Sequence, residues 1–127
     1  MIKILLIEPD SVTAKAVSDY LSEHDILIVS NGHQAISALE SWPCELIISE
    51  HSFLTHNSFE FLYELRSYPE WEMLPFVLFT KTYIHDSLLQ SEAYSELGIT
   101  DYLYKPQTRL ADLQKKLNLI SLNAAHI

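Results

Sequence analysis

Five short apolar runs, spread along the chain and not alternating with polar residues, limit most tightly what it can fold into. They are Ile4-Leu5-Leu6-Ile7, Ile26-Leu27-Ile28-Val29, Leu46-Ile47-Ile48, Phe76-Val77-Leu78-Phe79 and Tyr102-Leu103-Tyr104. A strand with one face in water alternates, whereas an unbroken run rich in β-branched or aromatic residues suits a strand covered on both faces. Between the runs lie stripes with helical spacing: Val12, Ala16 and Tyr20 with Val17 and Leu21; Phe59, Leu62 and Leu65; and Leu110, Leu113, Leu117 and Ile120. Residues 33–41 and 84–97 supply two more helices, the latter stopped at Gly98, a natural left-handed C-terminal residue. Asp10 or Ser11 caps the first helix, Gly32 turns the chain into the second, and Asn57 or Ser58 caps the third. The order is (βα)5, and such alternation calls for an α/β, doubly wound parallel sheet with helices on both sides.

At 127 residues a globular chain buries roughly two-thirds of its unfolded surface, enough for one core without disulfides or metal. The single cysteine, Cys44, cannot form an internal disulfide and fits a reducing, cytoplasmic setting as a small buried side chain. The N-terminal MIKILLIEPD is too short an apolar stretch for a signal peptide or a membrane span, so no membrane association is expected. Seventeen acids face eight Lys and Arg, a formal charge of −9. Without a basic cluster to neutralise phosphates, direct nucleic-acid binding is not expected. The pattern of one domain holds over 1–120; from Ser121 the segment SLNAAHI loses it and reads as a tail or the start of a linker.

Open α/β sheets bind their ligands at the carboxyl ends of the strands. Glu8 follows the first run, Ser49-Glu50 the third, Thr80-Lys81 the fourth and Lys105-Pro106 the fifth. Two carboxylates, a hydroxyl and an ammonium therefore converge on one rim. Other chemistry is poorly supported. His51 and His56 lack metal-ligand spacing and read as solvated loop residues. Ser11, Ser49 and Ser58 have no Gly-x-Ser-x-Gly context, and no Gly-x-Gly-x-x-Gly follows the first strand. Tyr83, Tyr94, Tyr102 and Tyr104 crowd the region of the fourth helix and fifth strand, as core or as an interface.

At these residues the chain resembles the receiver domain of two-component response regulators over roughly residues 2–120. Lys3-Ile-Leu-Leu-Ile-Glu8 is similar to that family's first strand and acidic loop. Asn31-Gly32-His-Gln-Ala35 is similar to its second loop, and Pro75 to Thr80 to its fourth strand with a switch Thr. Gly98-Ile-Thr-Asp-Tyr102-Leu-Tyr-Lys105-Pro106, the most specific segment, resembles its closing signature. The resemblance implies a CheY-like, flavodoxin-like (βα)5 sheet of order 2-1-3-4-5. It also implies an Asp acceptor after strand three, two acids after strand one holding Mg²⁺, and a Thr and a Lys that contact the phosphoryl group. In such receivers the phosphoryl group draws the Thr inward and the aromatic on strand five, here Tyr102, follows.

Thr80 and Lys105 match that pattern, but the acceptor position holds Glu50, the first acid is Glu8, and the second acid position holds Pro9. Lys81 stands where a small residue is usual. Mg²⁺ demands near-octahedral oxygens, each Glu is a methylene longer than Asp, and Pro9 removes a ligand and a backbone N–H together. In phosphoryl transfer a misplacement of about 1 Å costs about 100-fold. The expectation is a degenerate pocket of Glu8 and Pro9 with lost or weak Mg²⁺ binding, no other cofactor, and no enzyme activity. Glu50 then either imitates the phosphorylated state or serves as Lys105's ion-pair partner.

With these departures the resemblance implies a phosphorylation-independent protein-interaction module. Its partner is a signalling protein such as a histidine kinase, an effector domain or another regulator. A homodimer through the fourth-helix, fifth-strand and fifth-helix face belongs to the same expectation. The alternatives are an active Mg²⁺-dependent phosphoacceptor and a structural dimerisation domain of a larger regulator.

Overall fold

All five apolar runs are strands of one parallel sheet, ordered β2-β1-β3-β4-β5. The computed structural model describes the backbone of residues 1–125 and side chains as far as residue 121. The strands are β1 (Lys3–Ile7), β2 (Asp25–Val29), β3 (Leu46–Ser49), β4 (Phe76–Thr80) and β5 (Asp101–Tyr104). The helices are α1 (Ser11–Tyr20), α2 (Gly32–Ser41), α3 (Ser58–Ser67), α4 (Asp86–Leu89), α5 (Glu92–Glu96) and α6 (Leu110–Ala125), with 3-10 turns at Pro69–Trp71 and Lys105–Gln107.

Side chains alternate across a strand, so the unbroken runs feed two cores at once. Leu5, Ile7, Ile47, Phe76 and Leu78 pack on one face with Ala35 and Leu39 of α2 and Phe61, Leu62 and Leu65 of α3. Ile4, Leu6, Leu46, Ile48, Val77 and Phe79 pack on the other with Ala14 and Val17 of α1, Leu21, and Leu113 and Leu117 of α6. The three central strands β1, β3 and β4 are buried almost throughout, as unbroken runs require. The two outer strands are covered less fully than their sequences imply. Ile28 of β2 is exposed, and every residue of β5 is half-buried, because an edge strand has a neighbour on one side only.

Asp10 caps α1 by accepting from the Thr13 N–H at 3.1 Å, and Asn57 caps α3 by accepting from the N–H groups of Phe59 and Glu60, each at 3.0 Å. Gly32 is the first residue of α2, whose cap is Asn31, so Gly32 is not the turn itself. Its lack of a side chain matters for another reason: a Cβ there would lie 2.8 Å from His56 Nε2 and 2.9 Å from the Phe61 ring.

The helix expected over 84–97 is two short ones. The break falls at Gln90-Ser91, where Ser91 is extended (φ −75°, ψ 152°) and its hydroxyl accepts from the Tyr94 N–H at 3.1 Å. Serine offers the backbone an alternative to the helical bond, and here the alternative wins. Gly98 ends the second piece in the left-handed region at φ 68°. The tail expected from Ser121 is helical as far as Ala125, while the last two residues of that tail lie outside the described residues. No helix among the described residues is long and apolar enough to cross a membrane.

Candidate functional site

Each acid of the rim leaves its strand on a fixed backbone bond. The Glu8 N–H donates to the Val29 carbonyl and the Glu50 N–H to the Ile7 carbonyl, both at 2.9 Å, so the ladder continues one residue past β1 and β3. Lys105 enters from the turn after β5, and Thr80 is the last residue of β4. The structure brings Glu8, Glu50, Thr80 and Lys105 together. Lys105 Nζ donates at 2.6 Å to Glu8 Oε1 and at 2.6 Å to Glu50 Oε2. The Glu50 side chain is 2% exposed and that of Glu8 3%. Lys105 Nζ also lies 5.4 Å from the centre of the Phe79 ring, which adds a cation–π contact.

Glu50 is the most heavily bonded group of the site. Its Oε1 accepts from the His51 N–H at 2.7 Å and from the Thr80 hydroxyl, and its Oε2 accepts from Lys105 and from the Lys81 N–H at 3.3 Å. Burial alone pushes this carboxyl up, but the bonds from Lys105, Thr80 and the His51 backbone together outweigh it, and Glu50 sits below the usual carboxylate range. Glu8 Oε2 accepts from the Asp10 N–H at 3.2 Å. Every carboxylate oxygen of the pair thus faces a protein donor.

A hard divalent cation needs several free oxygens in near-octahedral array. The carboxylates of Glu8 and Glu50 are taken up as above, and Pro9 supplies no side-chain oxygen. Asp10, the nearest further acid, caps α1. A cation at this rim would have to compete with those donors for both glutamates. Above them an open cavity of about 280 Å³ is lined by Pro9, Asp10, Thr13, Ser52 and Lys81 along with Glu8, Glu50 and Lys105.

From Glu50 a chain of bonds runs outward to Tyr102. The Thr80 hydroxyl that donates to Glu50 accepts from the Thr82 N–H at 2.9 Å. The Thr82 carbonyl accepts from the Tyr102 hydroxyl at 3.1 Å, and that hydroxyl accepts from the Ile84 N–H at 3.0 Å. The Tyr102 ring packs against the core on the α2/α3 face of the sheet. The four tyrosines therefore divide. Tyr102 is turned in; Tyr94 is half-buried edge-on to Phe59, with its phenol pushed up to about 12 by burial; and Tyr83 is exposed, its ring 5.5 Å from that of Tyr104. Burial likewise pushes the Cys44 thiol up to about 11, so it is a poor nucleophile.

The histidines depart from the sequence reading. His51 and His56 are half-buried and bonded rather than solvated. His51 Nδ1 lies 2.7 Å from the buried Ser58 hydroxyl, its ring packs on Phe59 at 4.6 Å, and burial holds it below the usual histidine range. His56 Nε2 accepts from the Gly32 N–H at 3.0 Å and ties the loop after Glu50 to the start of α2. Spacing along the chain carries no sign of either contact. The roles of the Lys81 N–H and the His51 N–H were missed as well, since any residue but proline could supply them.

No family profile matches the chain. It is 34% identical over 107 residues to the transcriptional regulatory protein CiaR of Streptococcus pneumoniae, a match covering 84% of this chain and 46% of that protein. The chain thus spans about half the length of the curated relatives it matches. Among solved structures, a two-component response regulator from Clostridium difficile aligns with a TM-score of 0.81 at 25% identity, covering 94% of this chain and 95% of that one. The chemotaxis response regulator CheY4 of Vibrio cholerae aligns with a TM-score of 0.81 at 21% identity, covering 94% and 98%. Strand order, the rim of the sheet and these likenesses agree: the chain has the CheY-like fold and is similar to response regulator receiver domains.

Proposed function

We propose that this domain is a pseudo-receiver, a protein-interaction module of a two-component or phosphorelay pathway that signals without being phosphorylated and has no catalysis of its own. In this reading Glu50 stands in place of an aspartyl phosphate. The observation that carries it is the bonded chain from Glu50 through Thr80 and Thr82 to Tyr102 and Ile84. Glu50 offers charge −1 where a phosphoryl group carries about −1.5 to −2, but on a longer arm that reaches both Thr80 and Lys105. A side chain biases a switch only through contacts it makes in one state and not the other, and the bond to Thr80 is such a contact. A simple ion pair with Lys105 would leave Thr80 and Tyr102 free to turn out.

The consequence is a face of α4, α5, β5 and α6 held ready for a signalling partner or a second copy, with Mg²⁺ binding weak or lost. Intact-mass measurement after exposure to acetyl phosphate and millimolar Mg²⁺ tests the first half, with no added phosphoryl group expected. An adduct that vanishes in Glu50→Gln would overturn it. For the second half, pull-down from the native cell with the wild-type chain and with Tyr102→Ala is expected to recover the partner only with the former.

A further inference from the structure

The negative charge of the chain is unevenly placed. Residues 32–74 contain seven carboxylates, all Glu, and one base, Arg66. Glu50 is buried in the site above, whereas Glu40, Glu60, Glu64 and Glu70 are exposed and stand in no ion pair among the described residues. Arg66 does not compensate them. Its guanidinium is turned onto three backbone carbonyls, those of Leu97 at 3.0 Å, Gly98 at 2.8 Å and Trp71 at 2.8 Å.

Aromatic surface accompanies this charge. Tyr63, on α3 between Glu60 and Glu64, is 67% exposed. Tyr68 packs edge-on to Trp71 with ring centres 5.0 Å apart, and its hydroxyl donates to Glu64 at 3.3 Å. Its phenol is pushed up first by Glu64 and also by Glu40 and Glu70, so carboxylates from α2, α3 and the following turn share one neighbourhood. Between α2 and α3 an open cavity of about 420 Å³ is lined by Glu60 and Glu64 together with His33, Thr55 and His56.

We infer that the α2/α3 face docks an arginine-rich segment of a partner protein. One guanidinium enters the cavity against Glu60 and Glu64, and neighbouring side chains lie on Tyr63 and Tyr68. Uncompensated like charges repel one another and draw in a segment of opposite sign. Arginine suits the place better than lysine because its planar fork pairs with carboxylates and stacks on tyrosine rings. The face shares no element with α4, α5, β5 and α6, so two partners can be held at once. It stands whether or not Glu50 is a mimic.

The test is fluorescence anisotropy of a labelled oligoarginine peptide titrated with the full chain. Binding that weakens with added salt is expected. The double variant Glu60→Gln/Glu64→Gln should lose about tenfold in affinity, and Glu92→Gln/Glu96→Gln, the same charge change made on α5, less than about twofold. Tyr63→Ala, which changes no charge, should also weaken binding. Equal losses in the two charge pairs would show attraction to net charge alone and overturn the assignment, as would an unaltered affinity in Tyr63→Ala or no binding by the wild-type chain.

Discussion

Glutamate carries its carboxylate about 1.5 Å further from the sheet than aspartate. At position 50 that length lets one group touch Lys105, Thr80 and two backbone N–H groups. Glu50→Asp withdraws the carboxylate from some of these donors, and Glu50→Gln keeps the length but removes the charge. Faster hydrogen exchange at the amides of Thr82 and Ile84 is expected in both, by roughly the 5- to 150-fold that typical coupling energies imply. Unchanged exchange would make Glu50 merely the ionic companion of Lys105. Acidity gives a second handle. The folded-state value of Glu50 is depressed, so its contribution is present above the ordinary carboxylate value of about 4.3 and is lost as pH falls through the folded value. His51 is also depressed, by burial, so stability should begin to fall once pH drops below about 6.5. Urea midpoints measured against pH should show this earlier decline in the wild-type chain and a weaker one in His51→Asn. The rim residues were legible because each follows an apolar run, and the two backbone donors to Glu50, at His51 and Lys81, were not, because backbone N–H groups carry no side-chain signature.

Single turns decide more than propensity does. The apolar periods of α3 and α6 placed these helices because each stripe lies against the sheet, whereas in α1 the expected Val12, Ala16 and Tyr20 are exposed and Ala14 joins Val17 and Leu21 in the core instead. Over 84–97 no such stripe exists, and only Ile84 and Leu97 are fully buried, so one serine cap sufficed to split the segment. Replacing Ser91 with Ala removes that cap and should cost about 1 kcal/mol, measured by thermal or urea denaturation. Gly32→Ala is a harsher change. The added methyl meets His56 and Phe61 at distances real Cβ atoms do not tolerate, and an overpacking loss of about 1–3 kcal/mol is expected with displacement of the loop after Glu50. Neither close approach is visible in the sequence, since it joins residues from separate elements. Tyr102→Phe keeps the ring but leaves the Thr82 carbonyl and the Ile84 N–H unpaired, and should cost about 1–3 kcal/mol in the same measurement.

For the molecule as a whole, the doubly wound architecture followed from five runs and the helices between them. What remained hidden was how unequally its two flanks are charged, because charge along a sequence becomes a surface only once α2 and α3 lie side by side. The Arg66 bonds also matter to the folding landscape. They join α3 to residues 31 and 32 positions further on, across a stretch that includes β4, α4 and α5. A parallel sheet must bring such distant segments together before any of its ladders can form, and closing the loop is the slow, entropically unfavourable part. The clasp therefore acts as a noncovalent crosslink around that stretch. Without it, the segments on either side of β4, residues 67–75 and 81–97, become the first to open while the central strands stay protected, so proteolytic nicking of Arg66→Met would begin in those two segments.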